Sequence, residues 1–297
     1  MITSQIIQTS IDELKAITKV DLGVYDLNGS VVASTMEKDD ITTDLISGFA
    51  ASPADSQVIG VHHLLKIRDE AELLYVLVAR GMTDDVYMVG KMAAFQVQNL
   101  LIAYKERFDK DNFIKNLLLD NLLLVDIYNR AKKLHIETDV RRCVFIVETK
   151  NDRDNNAFET VRNIFSAKTR DFITAVDEKN IILVKEVKNG EGYDELTKTA
   201  QVIVDMLNTE AMTKVHVAFG TIVNEIKEVS RSYKEAKMAM DVGKIFYPDK
   251  NVIAYSRLGI GRLIYQLPLP LCKMFIKEIF DGRSPDEFDE ESLQTIN

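Results

Sequence analysis

The sequence predicts an α+β chain of two sheet-bearing domains joined by a helical connector. Three observations carry this. Short apolar runs bounded by turn residues alternate with segments of helical period near both ends of the chain. Between them, Met82 to His135 holds helix-spaced apolar residues and almost no turn chemistry. The length, 297 residues, is also more than one ordinary domain takes.

Residues 1–85 form the first domain. Ile6, Ile7, Ile11, Leu14 and Ile17 recur at helical spacing, which predicts a helix over Thr3–Thr18. Val20–Asp26 reads as a strand and Val31–Thr35 as its return. Between them Asn28-Gly29 supplies the two positive-φ residues of a tight hairpin. Met36–Asp55 is polar, a loop with a short helix near Leu45–Ala51. Val61–Ile67 and Glu72–Ala79 make a second strand pair around Arg68–Ala71. Antiparallel strands with helices on one side describe a sensor-like module.

Residues 86–137 form the connector. Met82–Lys110 predicts one long helix, interrupted at Asp109–Asn112 and followed by helices over Phe113–Asp120 and Val125–Leu134. Val97, Leu101, Tyr104 and Phe108 are spaced 4, 3, 4, a short coiled-coil seam. With Phe95 they predict a homodimer; the competing reading packs the stripe on its own sheet.

Residues 138–257 form the second domain. Cys143–Val147 is an unbroken apolar run, a buried strand. A helix over Asn155–Ala167 follows, then a hairpin of Phe172–Val176 and Ile181–Val184 around Asp177–Asn180. Next come a helix over Glu195–Asn208, a strand over Val215–Gly220, a helix over Ser230–Gly243 and a short strand, Val252–Tyr255. Gly243 reads as the stop of its helix. The order β-α-β-β-α-β is the ferredoxin-like plan with one extra αβ step. Residues 258–297 are helical and then acidic.

Composition excludes several classes. Lys plus Arg number 37 against 46 Asp plus Glu, a net charge of −9, which is a poor footprint for nucleic acid. No apolar run reaches the ~20 residues of a membrane span, and Met1–Gln5 carries no secretion signal. With only 2 cysteines a disulfide framework is excluded, so the expectation is cytoplasmic. His62 and His63 are adjacent and point to opposite faces of a strand, and neither His135 nor His216 has a second His or Cys at i, i+4, so no metal site is predicted. Cys143 and Cys272 sit in apolar segments and read as inert thiols. Gly259-Ile-Gly261 is not a phosphate loop, and no Gly-x-Ser-x-Gly elbow occurs. No catalytic residue and no cofactor is expected.

Domains of the second type include nucleotide cyclases, which need acids after the first strand and glycines at the hairpin tip. Here the strand ends Glu148-Thr-Lys-Asn-Asp152 and the tip is Ala175-Val-Asp-Glu-Lys179. Asp177 and Glu178 keep an acidic pair, but Ala175 and Val176 place Cβ atoms where a nucleotide would lie. A divergent cyclase using Glu148, Asp152, Asp177 and Glu178, or a non-catalytic nucleotide binder, is the alternative function.

One stretch carries a family resemblance. Ser232-Tyr-Lys-Glu-Ala236, with Ala239, Val242, Gly243, then Val252–Tyr255 and Leu258-Gly259, resembles the PucR/CdaR-type bacterial transcription regulators of purine catabolism and carbohydrate diacids. Phe113–Leu119 and Ala131–His135 resemble the helical pair that precedes their degenerate GGDEF-like domain. The first domain resembles such proteins only in layout, as a PAS- or GAF-like sensor. The resemblance implies a ligand-responsive regulator of carbohydrate or small-acid use whose DNA contact belongs to a C-terminal helix-turn-helix. The chain stops at Glu290–Asn297, about where that domain would begin, which is the expectation of a trimmed chain.

The effector is then a small molecule, a sugar diacid or other organic acid, held between the first sheet and its helical loop. Arg80, Lys66 and Arg68 are the candidate anion partners, with Tyr25, Ser34 and Thr35 as hydrogen-bond partners.

Overall fold

The computed structural model describes residues 4–37, 41–69, 71–83, 85–149, 155–165, 170–210 and 215–279. The chain divides into two compact units, Met1–Lys110 and Asp111–Asn297.

The first unit runs α1 (Ser4–Thr18), β1 (Asp21–Tyr25), β2 (Val31–Ser34), α2 (Thr43–Ala51), β3 (Ser56–Ile59), β4 (His62–Asp69), β5 (Glu72–Arg80) and most of α3 (Asp85–Leu118). Its sheet has the order β2-β1-β5-β4-β3, antiparallel throughout. Side chains alternate between the two faces. Leu22, Val24, Leu65, Ile67, Leu77 and Ala79 face Ile7 and Ile11 of α1 and Val86, Val89, Ala93 and Val97 of α3. Tyr25, Leu64, Val76 and Val78 face Ile46 and Phe49 of α2. Both faces are therefore covered, which is why β5 reads as one apolar run.

Three local expectations change. The β1–β2 turn is not a paired left-handed turn: within it Gly29 has φ +85°, and Asn28 is not among the positive-φ residues. The Asp26 carboxylate closes it instead, accepting from the amides of Asn28 at 2.9 Å and Ser30 at 2.7 Å. Strand β3 was absent from the sequence pattern because Gln57 and Val58 are exposed on an edge. Helix α3 is unbroken over 34 residues, so Asp109–Asn112 does not interrupt it. Those residues include no Gly or Pro, and i, i+4 ion pairs (Lys110–Glu106 at 2.6 Å, Lys115–Asp111 at 2.8 Å) support the helix there.

The second unit runs α4 (Leu124–Lys133), β6 (Arg142–Thr149), α5 (Asn155–Phe165), β7 (Phe172–Ala175), β8 (Asn180–Glu186), α6 (Tyr193–Glu210), β9 (Val215–Phe219), α7 (Val229–Phe246), β10 (Val252–Ala254), α8 (Gly261–Tyr265) and α9 (Leu269–Ile279). The sheet order is β10-β9-β6-β8-β7. All neighbours are antiparallel except β10 with β9. Each β-α-β segment, β6-α5-β7 and β8-α6-β9, thus brackets a strand of the other.

Cys143, Phe145 and Val147 face α5 and α6 through Ala157, Val161, Ala200 and Ile203. Val144 and Ile146 face Tyr233, Ala236 and Met240 of α7, with Phe113, Ile114, Leu117, Ile127 and Ala131 in the same core. The stretch read as a connector is thus divided: Val86–Val97 belongs to the first core and Phe113–Ala131 to the second.

Gly243 does not end its helix, since α7 continues to Phe246. Its lack of a side chain serves packing: an added Cβ would meet Ile253 Cδ1 at 2.0 Å. Helix α9 buries none of its residues, and the acidic tail including Glu290–Asn297 lies outside the described residues. Among the described residues no helix is long and apolar enough to cross a membrane.

Candidate functional site

The six effector residues named from the sequence lie in the first unit but do not converge. Arg80 ends β5 opposite Asp21, and its Nε stands 4.0 Å from that carboxylate. Asp21 also takes Lys15 at 2.6 Å, and Lys15 in turn reaches the Thr35 carbonyl at 2.5 Å. Arg80 and Thr35 thus meet through a lysine and an aspartate of the chain itself. The Thr35 hydroxyl is engaged with the backbone of Leu22, accepting from its amide at 2.9 Å. Ser34 is clamped at both backbone atoms by the Gln8 amide, at 2.9 and 3.0 Å, and its hydroxyl accepts from Met36 N.

Lys66 and Arg68 sit farther along β4. The Lys66 ammonium donates to the Ser52 carbonyl and lies 5.2 Å from the Phe49 ring centre. Arg68 pairs with Asp55 at 3.4 Å. Tyr25 is 1% exposed, a core residue between the sheet and α2. Its ring covers Gly23, where an added Cβ would stand 2.8 Å from Tyr25 Cε2. The space where an effector was expected is therefore occupied by a side chain of the protein.

In the second unit the β7–β8 tip is built around Asp177. Its Oδ1 accepts from the amides of Lys179 at 2.9 Å and Asn180 at 2.8 Å, and the Asn180 side chain donates to both oxygens. Burial opposes the charge, but these donors outweigh it and hold the carboxyl below its ordinary value. The residue is a turn cap with both oxygens engaged. Glu178 is exposed on the same turn. Glu148, on β6, pairs with Lys244 of α7 at 2.5 Å. Asp152 lies outside the described residues. Among the described residues no group of three His, Cys, Asp or Glu could hold a metal ion.

Two further polar arrangements were not visible in the sequence. Arg142 is 2% exposed, and its guanidinium donates to the carbonyls of Glu137 at 2.6 Å and Val140 at 3.4 Å, while its Nε has no partner. Burial lowers its pKa, opposed by Glu186 and Glu137. An arginine beside an apolar strand gave no sign of burial. Over the same loop lies an open groove of about 530 Å³ lined by Tyr128, Lys132 and residues 136–140. Tyr128 donates to Glu225 at 3.0 Å, and that bond raises its pKa.

The Ser-Tyr-x-Glu-Ala segment is a structural clamp. The Ser232 hydroxyl donates to the Thr221 carbonyl at 2.7 Å and accepts from Val144 N at 3.0 Å. Glu235 accepts from Thr221 through its amide at 2.9 Å and its hydroxyl at 2.5 Å. Tyr233 and Ala236 point into the core. Gly220 allows the approach: a Cβ there would lie 2.1 Å from the Ser232 carbonyl oxygen. The motif fixes α7 to the end of the sheet and leaves no group of its own for chemistry.

Residues 121–242 match the family model described as a GGDEF-like domain. No curated protein matches the chain. Among solved structures, the chain is similar to PelD 158-CT from Pseudomonas aeruginosa PAO1 in complex with c-di-GMP, at 12% identity and a TM-score of 0.28, over 84% of this chain and 91% of that one. A further crystal structure of PelD 158-CT from Pseudomonas aeruginosa PAO1 matches at 10% identity and a TM-score of 0.28, with the same coverages. PelD 156-455 from Pseudomonas aeruginosa PA14 in complex with c-di-GMP matches at 11% identity and a TM-score of 0.27, over 84% and 89%. The domain match bears on the second unit alone.

Proposed function

We propose that the chain is a signal-sensing relay whose GGDEF-like unit transmits rather than turns over a nucleotide. The observation that carries this is the β7–β8 tip. Asp177 has both oxygens engaged in its own turn, and Ala175 and Val176 stand where a nucleotide loop needs glycine. Glu148, the acid nearest the first strand's end that is described, is neutralised by Lys244. The layout is read as ferredoxin-like in the second unit and PAS/GAF-like in the first, on the strand orders given above. The first unit is then the sensor, and a small effector entering between its sheet and α2 has to displace the Tyr25 ring that fills this space. The resemblance at Ser232–Ala236 supports a transcriptional output.

Incubation with GTP or ATP and Mg²⁺ tests the first half of this reading. No cyclic or dinucleotide product is expected, and turnover abolished by Asp177→Asn would overturn it. Calorimetry of the full chain with a panel of sugar diacids and other organic acids tests the sensor. Enthalpy changes lost in Tyr25→Trp place the effector on the α2 face; binding unaffected by that change would remove the sensor from this position.

A second reading, a non-catalytic nucleotide receptor, is favoured by the domain match over 121–242. Titration with GTP and with cyclic dinucleotides separates the two, since the relay reading expects no saturable binding to the second unit.

A further inference from the structure

Helix α3 is apolar on two opposite sides, and among the described residues only one of them is covered. Val86, Val89, Ala93 and Val97 are buried on the first sheet, with Leu101 packed against the same core. The expected dimer seam through Val97, Leu101 and Tyr104 is thereby corrected: its first two members are held by the protein's own sheet. Phe108 continues that same side one turn beyond Tyr104 and is 58% exposed.

The other side carries Met88, Met92, Phe95, Asn99, Ile102 and Glu106, spaced 4, 3, 4, 3, 4. Met88, Met92, Phe95 and Ile102 are 59%, 55%, 64% and 44% exposed. This is a heptad seam with Met92, Asn99 and Glu106 at a and Met88, Phe95 and Ile102 at d. We propose that this stripe is the surface on which a second copy of the chain docks, in parallel, with Asn99 against its own counterpart.

Two features favour a second copy over another partner, the Asn99 pairing and the area. Asparagine carries both donor and acceptor, so two Asn99 amides satisfy each other across a two-fold axis; one buried Asn at a is the device that fixes register in two-stranded coils. The one acidic seam residue, Glu106, is followed by Lys110 at 2.6 Å and preceded by Lys105. In a parallel pair an a side chain enters a hole walled by the g residue of the second copy. Glu106 at a then lies against its own counterpart as well as near Lys105 at g, and within the chain Lys105 is paired with Asp69 at 2.5 Å, so this layer adds no charge complementarity and marks the end of the seam. The area also suits a dimer. Four such side chains, each exposing on the order of 100 Å², supply about half of the ~800 Å² per partner of a standard interface, and the flanking g and e positions add the rest. The inference holds whether or not the second unit takes a nucleotide.

The test is light scattering of the full chain at tens of micromolar. The wild type is expected at twice the chain mass and Phe95→Glu/Ile102→Glu at the chain mass, with circular dichroism showing that the fold survives at these exposed positions. Should that pair unfold, Phe95→Gln/Ile102→Gln takes its place. In a Cys272→Ser background, oxidation is expected to link Asn99→Cys into dimers and to leave Arg107→Cys, away from the seam, unlinked. A monomeric wild type, a dimer untouched by the seam changes, linking at 107 but not at 99, or a different protein held in constant ratio would each overturn the proposal.

Discussion

The Ser232 hydroxyl accepts the Val144 amide hydrogen at 3.0 Å, at the point where the ladder between β6 and β9 ends. Val144 is fully buried, and its carbonyl still takes the Gly220 amide at 3.0 Å. The serine thus supplies the acceptor that a neighbouring strand would have given. Ser232→Ala leaves a buried N–H without a partner, which costs about 1–3 kcal/mol. Urea denaturation should show the midpoint fall with an unchanged slope; an unaltered midpoint would mean that the site relaxes around the loss.

Two glycines at close contacts should respond differently to alanine. At Gly220 the new Cβ meets a backbone carbonyl at 2.1 Å, and nothing flexible can give way. The expected loss is about 3 kcal/mol, the upper range of overpacking. At Gly243 the clash is with the tip of Ile253, at 2.0 Å from Cδ1. Alanine there gains about 1 kcal/mol of helix propensity, so the net loss is smaller, and Ile253→Val restores most of it. Thermal melts of the two single variants and the double variant check the ranking.

Burial pushes the Cys143 thiol up, and it lies in the sheet with no exposed surface. Cys272 is partly exposed. Iodoacetamide at pH 8 should therefore label Cys272 in the folded protein and both residues in urea. Mass spectrometry of the digests reads the outcome, and native labelling of Cys143 would contradict its placement.

Asp177 titrates below its ordinary value of 3.8 in the folded chain. The folded state then binds fewer protons than the unfolded one in that window. Its contribution to stability is whole above the unfolded value and is lost as pH falls through the lower folded value. The stability gap between wild type and Asp177→Ala should be full at pH 7 and narrow progressively as the pH falls below 3.8. A gap independent of pH would show that the ionised carboxylate does not hold the turn.

The second unit was legible in element type and order because its strands and helices carry unmixed periods, as in Cys143–Val147 and in the stripe from Val229 to Met240. Helix α3 was harder. Val97, Leu101 and Tyr104 do have seam spacing, but a helix lying on a sheet and a helix lying on another helix use nearly the same period. Only the second apolar stripe, on the far side, tells them apart. Asp109–Asn112 looked like a break because it is polar, whereas polarity without Gly or Pro merely marks a solvated turn of helix. The candidate effector residues do not converge for a related reason: charge and hydroxyl groups can be read from sequence, but the ion pairs and hydrogen bonds that engage them within the chain cannot. Arg80 and Asp21 are 59 positions apart and meet only through strand register.

On the proposed sensor reading, the Tyr25 ring resting on Gly23 would make the first unit its own competitor. A solute arriving on that face contends with a tethered aromatic group that never diffuses away. Its observed affinity is the intrinsic value multiplied by the fraction of time the ring stands aside. Responsiveness would then be tuned by a single side-chain rotation, and evolution could shift the threshold of the response without altering one contact to the solute.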